Sequence, residues 1–324
     1  MITDLIARAK PFSVGLTAQF RSVKKRTGFI FVGEHGIGEW APFDDYEPKA
    51  AAKWLAAALE AADTPRVDLN RNQIEVNGIV PALEPAAAAL WAEQLVEKYE
   101  VKTLKIKVGD ALQIDRVRAI SSALPSITLR VDANGSFSQS EAMNLIAEFE
   151  KLGVAVIEQP CATLNECKSL KGRGVLIALD ESIRLADSIN DQLISEIRAA
   201  ADIAVLKPIP LGGSKPTIAL AEKLELPIIV SGSLDTSIGL SFVAYVAAQL
   251  KQNPLPSGLG TSVLLEDDLA TERLLPTHGM LEVFAPTLDM QLMQQAAARV
   301  SSVELATLTQ RLQAAATFLD EVGN

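Results

Sequence analysis

TLRVDANGSFSQSEAMNLIAEFEKLGVAVIEQP, residues 128–160, holds one full cycle of the pattern that decides the fold. An apolar run ends in Asp132 and Asn134. A helix-like stretch follows, with Ser138 or Ser140 as its capping residue, and a second apolar run ends at Glu158. The cycle continues on both sides. Upstream stand GIVPA (78–82) and TLKIKV (103–108); downstream stand LIALDES (176–182), IAVLKP (203–208), PIIVSGS (227–233) and PSGLGTS (256–262). Eight strand-like runs alternate with helical stretches at a spacing near 25 residues. That rhythm predicts an α/β fold with a closed parallel barrel, a modified TIM barrel of (β/α)7β type. The last run is the weakest member, because Gly258 and Gly260 dilute it.

Outside residues 79–285, the expected barrel, the rhythm is absent. Residues 1–78 read as a small α+β capping unit. GFIFV (28–32) and GIGEW (36–40) form a hairpin through Glu34 and His35, and Glu47-Pro48 opens an alanine-rich helix to about Ala62. TPRVDLNRNQ (64–73) reads as a linker, and the stretch around Thr17 to Arg26 as a basic loop carrying Arg21, Lys24, Lys25 and Arg26. Residues 286–324 form a helical tail. Ser301 to Glu304 resembles a capping box, and Leu305, Leu308, Leu312, Ala315, Leu319 and Val322 share one helix face, which predicts packing back on the N-terminal unit.

The 324-residue length suits a large barrel plus an attached unit. The formal net charge of −10 repels nucleic acid and anionic membrane, so an acidic substrate must meet local positive charge. The start, MITDLIARAKPF, lacks the apolar core of a signal peptide. The longest uncharged apolar stretch, Thr236 to Leu250, is too short to span a bilayer. Cys161 and Cys167 make no disulfide framework. A cytoplasmic monomer or small homo-oligomer acting on a small molecule is expected, with no nucleic-acid or membrane partner.

His35 and His278 are the only histidines and both fall in turns or loops, so the chemistry rests on Lys, Asp and Glu. Read at the strand ends, these are Lys105 and Lys107, Asp132 with Asn134, Glu158, Asp180 and Lys207. From Lys107 the intervals are 25, 26, 22 and 27 residues. One βα unit separates each from the next, so the side chains converge at the C-terminal mouth, where barrel chemistry sits. Three carboxylates from consecutive strands repel one another unless a hard cation lies among them, and oxygen ligands favour Mg²⁺ over zinc. Lys105 and Lys107 are two apart and share one strand face. A lysine near other cations becomes a usable base, and a metal-bound carboxylate can lose its α-proton to it. Each piece alone has a plainer reading: a solvated KxK face, a DxN turn, a helix cap at DES. Their order and spacing carry the chemical one.

KIK, VDANGSF, IEQP, ALDES and VLKP, together with the N-terminal unit, resemble the enolase superfamily, in its muconate-lactonizing branch, over almost the whole chain. GEWAPFDDY (38–46) and the AAKWLAAALEAA helix after it are most similar to actinobacterial members that dehydrate 2-succinyl-6-hydroxy-2,4-cyclohexadiene-1-carboxylate, a step of menaquinone synthesis. The resemblance implies that Asp132, Glu158 and Asp180 bind Mg²⁺, with Mn²⁺ as an alternative ion. It implies Lys107 as the base and then the acid of a syn elimination, Lys105 as the group orienting the carboxylate, and Lys207 as stabiliser of the enediolate. Asn134, Ser231, Gly232, Ser233, Gly260 and Thr261 would contact the dicarboxylate substrate. Members often read Arg-Glu-Gly where this chain has Arg26-Thr27-Gly28. Two other chemistries suit the same residues: an N-acylamino acid racemase or dipeptide epimerase, and a metal-free Schiff-base aldolase using Lys207.

Overall fold

The computed structural model describes residues 2–20 and 23–322. Helix α1 (Ile2–Arg8) leads into β1 (Ala9–Phe20), which pairs antiparallel with β2 (Val23–Val32), and β2 pairs with β3 (Ile37–Trp40). Helix α2 (Pro48–Asp63) lies on this sheet with Trp54, Leu55 and an alanine face (Ala51, Ala57, Ala58, Ala62) buried. A Cβ placed on Gly38 would stand 1.8 Å from the Ala58 carbonyl oxygen, so sheet and helix approach closely because both present little side chain. The described residues of the Thr17–Arg26 stretch are not a free loop but the far ends of β1 and β2, which pair at Phe20 and Val23. Arg21 lies outside the described residues.

β4 (Gln73–Glu75) comes next, then the barrel: β5 (Gly78–Val80), α3 (Pro85–Tyr99), β6 (Thr103–Lys107), α4 (Gln113–Ala123), β7 (Thr128–Asp132), α5 (Gln139–Lys151), β8 (Val154–Glu158), α6 (Leu164–Leu170) and β9 (Leu176–Leu179). The short α7 (Glu181–Arg184) and α8 (Asp191–Ala200) precede β10 (Ile203–Leu206). The one-turn α9 (Pro208–Leu211) and α10 (Ser214–Leu224) precede β11 (Ile228–Ser231), and α11 (Ser237–Gln249) leads to β12 (Leu255–Gly258). The eight strands β5 to β12 form one sheet in chain order, every pair parallel. A parallel bridge between Val76 and Ser257 nearly closes it into a cylinder. Ser138, not Ser140, caps α5, in a reciprocal capping box with Glu141.

β13 (Met280–Glu282) pairs antiparallel with β4, so residues at the two ends of the barrel segment meet. Helix α12 (Met290–Ala298) packs on β1, and α13 (Ser302–Val322) on α2 and α1. Leu308, Leu312 and Ala315 of α13 are buried, whereas Leu305 at its start is exposed; the side chain of Val322 lies outside the described residues. Arg311 of this helix donates to the Phe43 carbonyl and the Asp44 carboxylate, fixing the loop that follows β3. No helix among the described residues is long and apolar enough to cross a membrane.

Inside the cylinder Val156, Ala178, Ile203, Val205 and Ile229 form a separate apolar cluster. Strand side chains alternate, so two residues above this floor the inward positions on β8 to β11 are Glu158, Asp180, Lys207 and Ser231. The polar mouth thus stands on a dry floor.

Candidate active site

Strand register sets the first level of the site. Lys107 of β6 is opposite Asp132 of β7, and Asp132 is opposite Glu158 of β8. Asp180 follows β9 as the residue before α7, and Lys207 follows β10 as the residue before α9. Four strand steps separate β6 from β10 in a ring of eight, so Lys107 and Lys207 rise from opposite walls. All six strand-end groups, Lys105 included, are buried, Lys107 being the least so.

The side chains are fully paired. Lys105 donates to Glu158 at 3.0 Å and stands 3.1 Å from Asp132; Lys107 donates to Asp132 at 2.6 Å and to Asn134 Oδ1 at 2.8 Å; Lys207 donates to Asp180 at 2.7 Å. Burial pushes the Asp132 carboxyl up, but Lys107 and Lys105 outweigh it and hold it well below its usual range. Burial and the Asp132 charge push Glu158 up to about 7 against the pull of Lys105. Lys105 itself is raised, since Glu158 and Asp132 outweigh its burial. Within the Lys105–Glu158 pair the two shifts look opposed. Lys105 stays charged, and Glu158 is the acid with the weaker hold on its charge, because it is buried beside the Asp132 carboxylate.

Among the described residues no three His, Cys, Asp or Glu side chains stand together in a ready metal cluster. Ammonium groups occupy the bonding positions of Asp132, Glu158 and Asp180 instead. The donor set nevertheless suits a hard divalent cation: three buried oxygen ligands on neighbouring strands, no sulfur or imidazole, and one acid left short of positive charge.

The backbone around these groups is held in unusual conformations. Asn134, Gln159 and Leu234 all have positive φ, at 48°, 41° and 64°, each just beyond a barrel strand. Gln159 is fully buried: its Oε1 accepts from the amides of Asp180 and Ser182, and its Nε2 donates to Cys161 O and Ser182 Oγ. The glutamine of EQP thereby fixes where Asp180 stands.

The pocket above the mouth is lined by Lys105, Lys107, Asp132, Lys207, Ser231, Gly232, Ser233 and Thr261 from the barrel and by Phe43 and Tyr46 from the N-terminal unit. The Thr261 hydroxyl is buried without a hydrogen-bond partner among the described residues. Gly260 and Asn134 are not among the residues that line this pocket. Gly260 is at the barrel seam, where a Cβ would come within 2.8 Å of Asn77 O, and Asn134 is exposed just beyond β7, accepting from Lys107 at 2.8 Å. Arg26 is not a solvated cation: it is buried, donates to Leu234 O at 3.2 Å and to Ala41 O, and lies 4.1 Å over the Phe43 ring. Lys24 and Lys25 are exposed, Lys25 pairing with Glu304.

Sequence reading missed Phe43, Tyr46 and Arg184 as pocket residues. Arg184 had a signal, standing four residues after Asp180 in DESIR and so one helical turn above it. Tyr46 had only its place in GEWAPFDDY.

Residues 87–287 match the family described as enolase C-terminal domain-like, and residues 12–62 the family described as enolase N-terminal domain-like. The o-succinylbenzoate synthase of Thermobifida fusca is 37% identical over 281 residues, covering 85% of this chain and 86% of that protein. The o-succinylbenzoate synthase of Mycolicibacterium smegmatis is 37% identical over 289 residues, covering 87% of each. Among solved structures, muconate lactonizing enzyme from Pseudomonas putida superposes with a TM-score of 0.74 at 19% identity over 89% of this chain and 98% of that one. A substrate-liganded complex of the L-Ala-D/L-Glu epimerase from Bacillus subtilis gives 0.73 at 21% over 86% and 96%. At such identities the structural likeness speaks for the fold, whereas the synthases match in sequence over 85% and 87% of this chain. The chain belongs to the enolase superfamily and, within it, to the family of the o-succinylbenzoate synthases.

Proposed function

We propose that this protein is a Mg²⁺-dependent lyase that dehydrates 2-succinyl-6-hydroxy-2,4-cyclohexadiene-1-carboxylate to o-succinylbenzoate in menaquinone synthesis. The observation that carries this is the placing of two lysines on opposite barrel walls with three strand-end carboxylates between them, in a chain 37% identical to two proteins of that name.

The reaction removes the proton on the carbon bearing the carboxylate and then expels the neighbouring hydroxyl. Lys107, as the neutral amine, takes that proton, and its new ammonium returns one to the hydroxyl on the same face, so elimination is syn. Asn134 Oδ1 accepts from Lys107 at 2.8 Å and limits the directions its nitrogen can take. Lys105, two residues lower on the same wall, orients the substrate carboxylate. Lys207 presents a fixed positive charge to the opposite face, where the flat dianionic enediolate is richest in electrons. Asp132, Glu158 and Asp180 would hold the divalent ion, whose charge offsets the second negative charge that develops on the carboxylate. Ser231, Gly232, Ser233 and Thr261 shape the wall for the succinyl arm. The N-terminal unit covers the mouth through Phe43 and Tyr46, keeping water from the enediolate. We assign the protein to the cytoplasm, a reading supported by two buried, unpaired thiols and by a substrate that is a small dicarboxylate.

Loss of the cyclohexadiene absorbance decides the matter. With Mg²⁺ we expect rapid loss of the diene band, and none after EDTA until Mg²⁺ is restored. Absence of turnover, together with deuterium uptake at the α-carbon of a succinyl amino acid, would instead indicate a racemase. Turnover that survives EDTA, with borohydride trapping at Lys207, would indicate imine chemistry.

A further inference from the structure

Arg184 joins the N-terminal unit to the proton-transfer lysine through a continuous set of hydrogen bonds. Its Nη1 donates to the Tyr46 hydroxyl, its Nη2 to Glu181 Oε1 at 2.7 Å, and its Nε to Asp180 Oδ1 at 3.0 Å. Glu181 Oε1 also accepts from Asn134 Nδ2 at 3.0 Å, and Asn134 Oδ1 accepts from Lys107 at 2.8 Å. The path thus runs Tyr46, Arg184, Glu181, Asn134, Lys107, crossing from the N-terminal unit to β6.

Sequence and packing make the Tyr46–Arg184 end of this path stiff. DESIR places Arg184 four residues from Asp180 and three from Glu181 on the one-turn α7, so one guanidinium reaches both acids from a single helix face. A planar fork serving three acceptors has little rotational freedom. Arg184 is 7% exposed and Tyr46 7%, and the tyrosine ring rests edge-on against Trp54 at 5.2 Å. On the lysine side Asn134 is fixed by its own positive φ and by its amide donating to Asp132. Glu181 is half-buried and Asn134 exposed, so these two are held by their hydrogen bonds rather than by packing.

We propose that Tyr46, Arg184, Glu181 and Asn134 act as one positioning unit that couples seating of the N-terminal unit over the mouth to the orientation of Lys107. In this scheme Tyr46, Arg184 and Glu181 act through Asn134 and Lys107, as positioning residues. This rests on the role given to Lys107 above for its catalytic consequence, but not for its structural one.

The test uses Tyr46→Phe, Glu181→Gln and the double variant in the full chain. Amide hydrogen exchange over Ala41–Tyr46 is read on metal-free, substrate-free protein, where the reaction assigned to the pocket has no bearing. Each single variant is expected to speed exchange there by roughly tenfold, the factor a hydrogen bond to a charged group carries at its lower end. Because the two ends belong to one unit, the double variant should exchange no faster than the quicker single variant. In turnover of the cyclohexadiene substrate the same variants should lower kcat with KM nearly unchanged, again without multiplying. Unchanged exchange in either single variant, or effects that multiply in the double variant, would overturn the proposal. A wild-type protein inactive on that substrate would remove the assigned reaction and leave the exchange result to stand by itself.

Discussion

Lys107→Ala should abolish measurable turnover, with a loss toward the upper end of the roughly 10²- to 10⁴-fold that a positioned proton-transfer group contributes. Lys107 has two tasks in the proposed reaction, taking the α-proton and protonating the leaving hydroxyl, so its removal weakens both halves of one elimination. The fold should persist. The side chain ends at the pocket, its partners include Asp132 and Asn134, and Asp132 keeps Lys105 at 3.1 Å as a countercharge. Far-ultraviolet circular dichroism and thermal melting should therefore match the parent protein closely while diene loss stops. A variant retaining a tenth or more of the parent kcat would remove Lys107 from the role of base.

Asp180→Asn should lower Mg²⁺ affinity by at least the roughly 10- to 100-fold that follows loss of a mere supporting partner of a metal ligand. The change is nearly isosteric but removes a charge that now faces two cations, Lys207 at 2.7 Å and Arg184 at 3.0 Å. An amide cannot answer both, so the metal-free variant should also melt below the parent. Mg²⁺ should raise the melting temperature of the parent much more than that of the variant, because only a ligand bound to the folded state stabilises it. Calorimetric titration giving equal affinity for both proteins would take Asp180 out of the ligand set.

Much of the fold was legible because the barrel repeats one local event. Most strands are short apolar runs that end at a polar residue, so TLKIK, TLRVD, VAVIE and LIALD announce both the strand and its open end without knowledge of any contact. The capping box at Ser138 and the proline opening α2 were equally local. What escaped depends on residues far apart in the chain. β1 (Ala9–Phe20) has no clean alternation, and its pairing with β2 became visible only in three dimensions. Arg26 looked like one of four solvated cations until the Leu234 and Ala41 carbonyls took its guanidinium. Arg184 and Tyr46 are 138 residues apart, and nothing in either neighbourhood announces the other. The substrate wall was half legible for the same reason: Ser231 to Ser233 follow from a strand end, whereas Gly260 belongs to the seam because β12 stops at Gly258 and the chain turns into a 3₁₀ helix from Gly260 to Leu264.

The measurement closest to the heart of the account is a crystal structure of the protein grown with Mn²⁺ and read by anomalous scattering. The account predicts one strong peak at the C-terminal mouth of the barrel, with oxygens of Asp132, Glu158 and Asp180 all within roughly 2.3 Å of it, near the bond lengths of small octahedral cations. A peak bound elsewhere, or the three acids still held by Lys105, Lys107 and Lys207 at saturating metal, would contradict it.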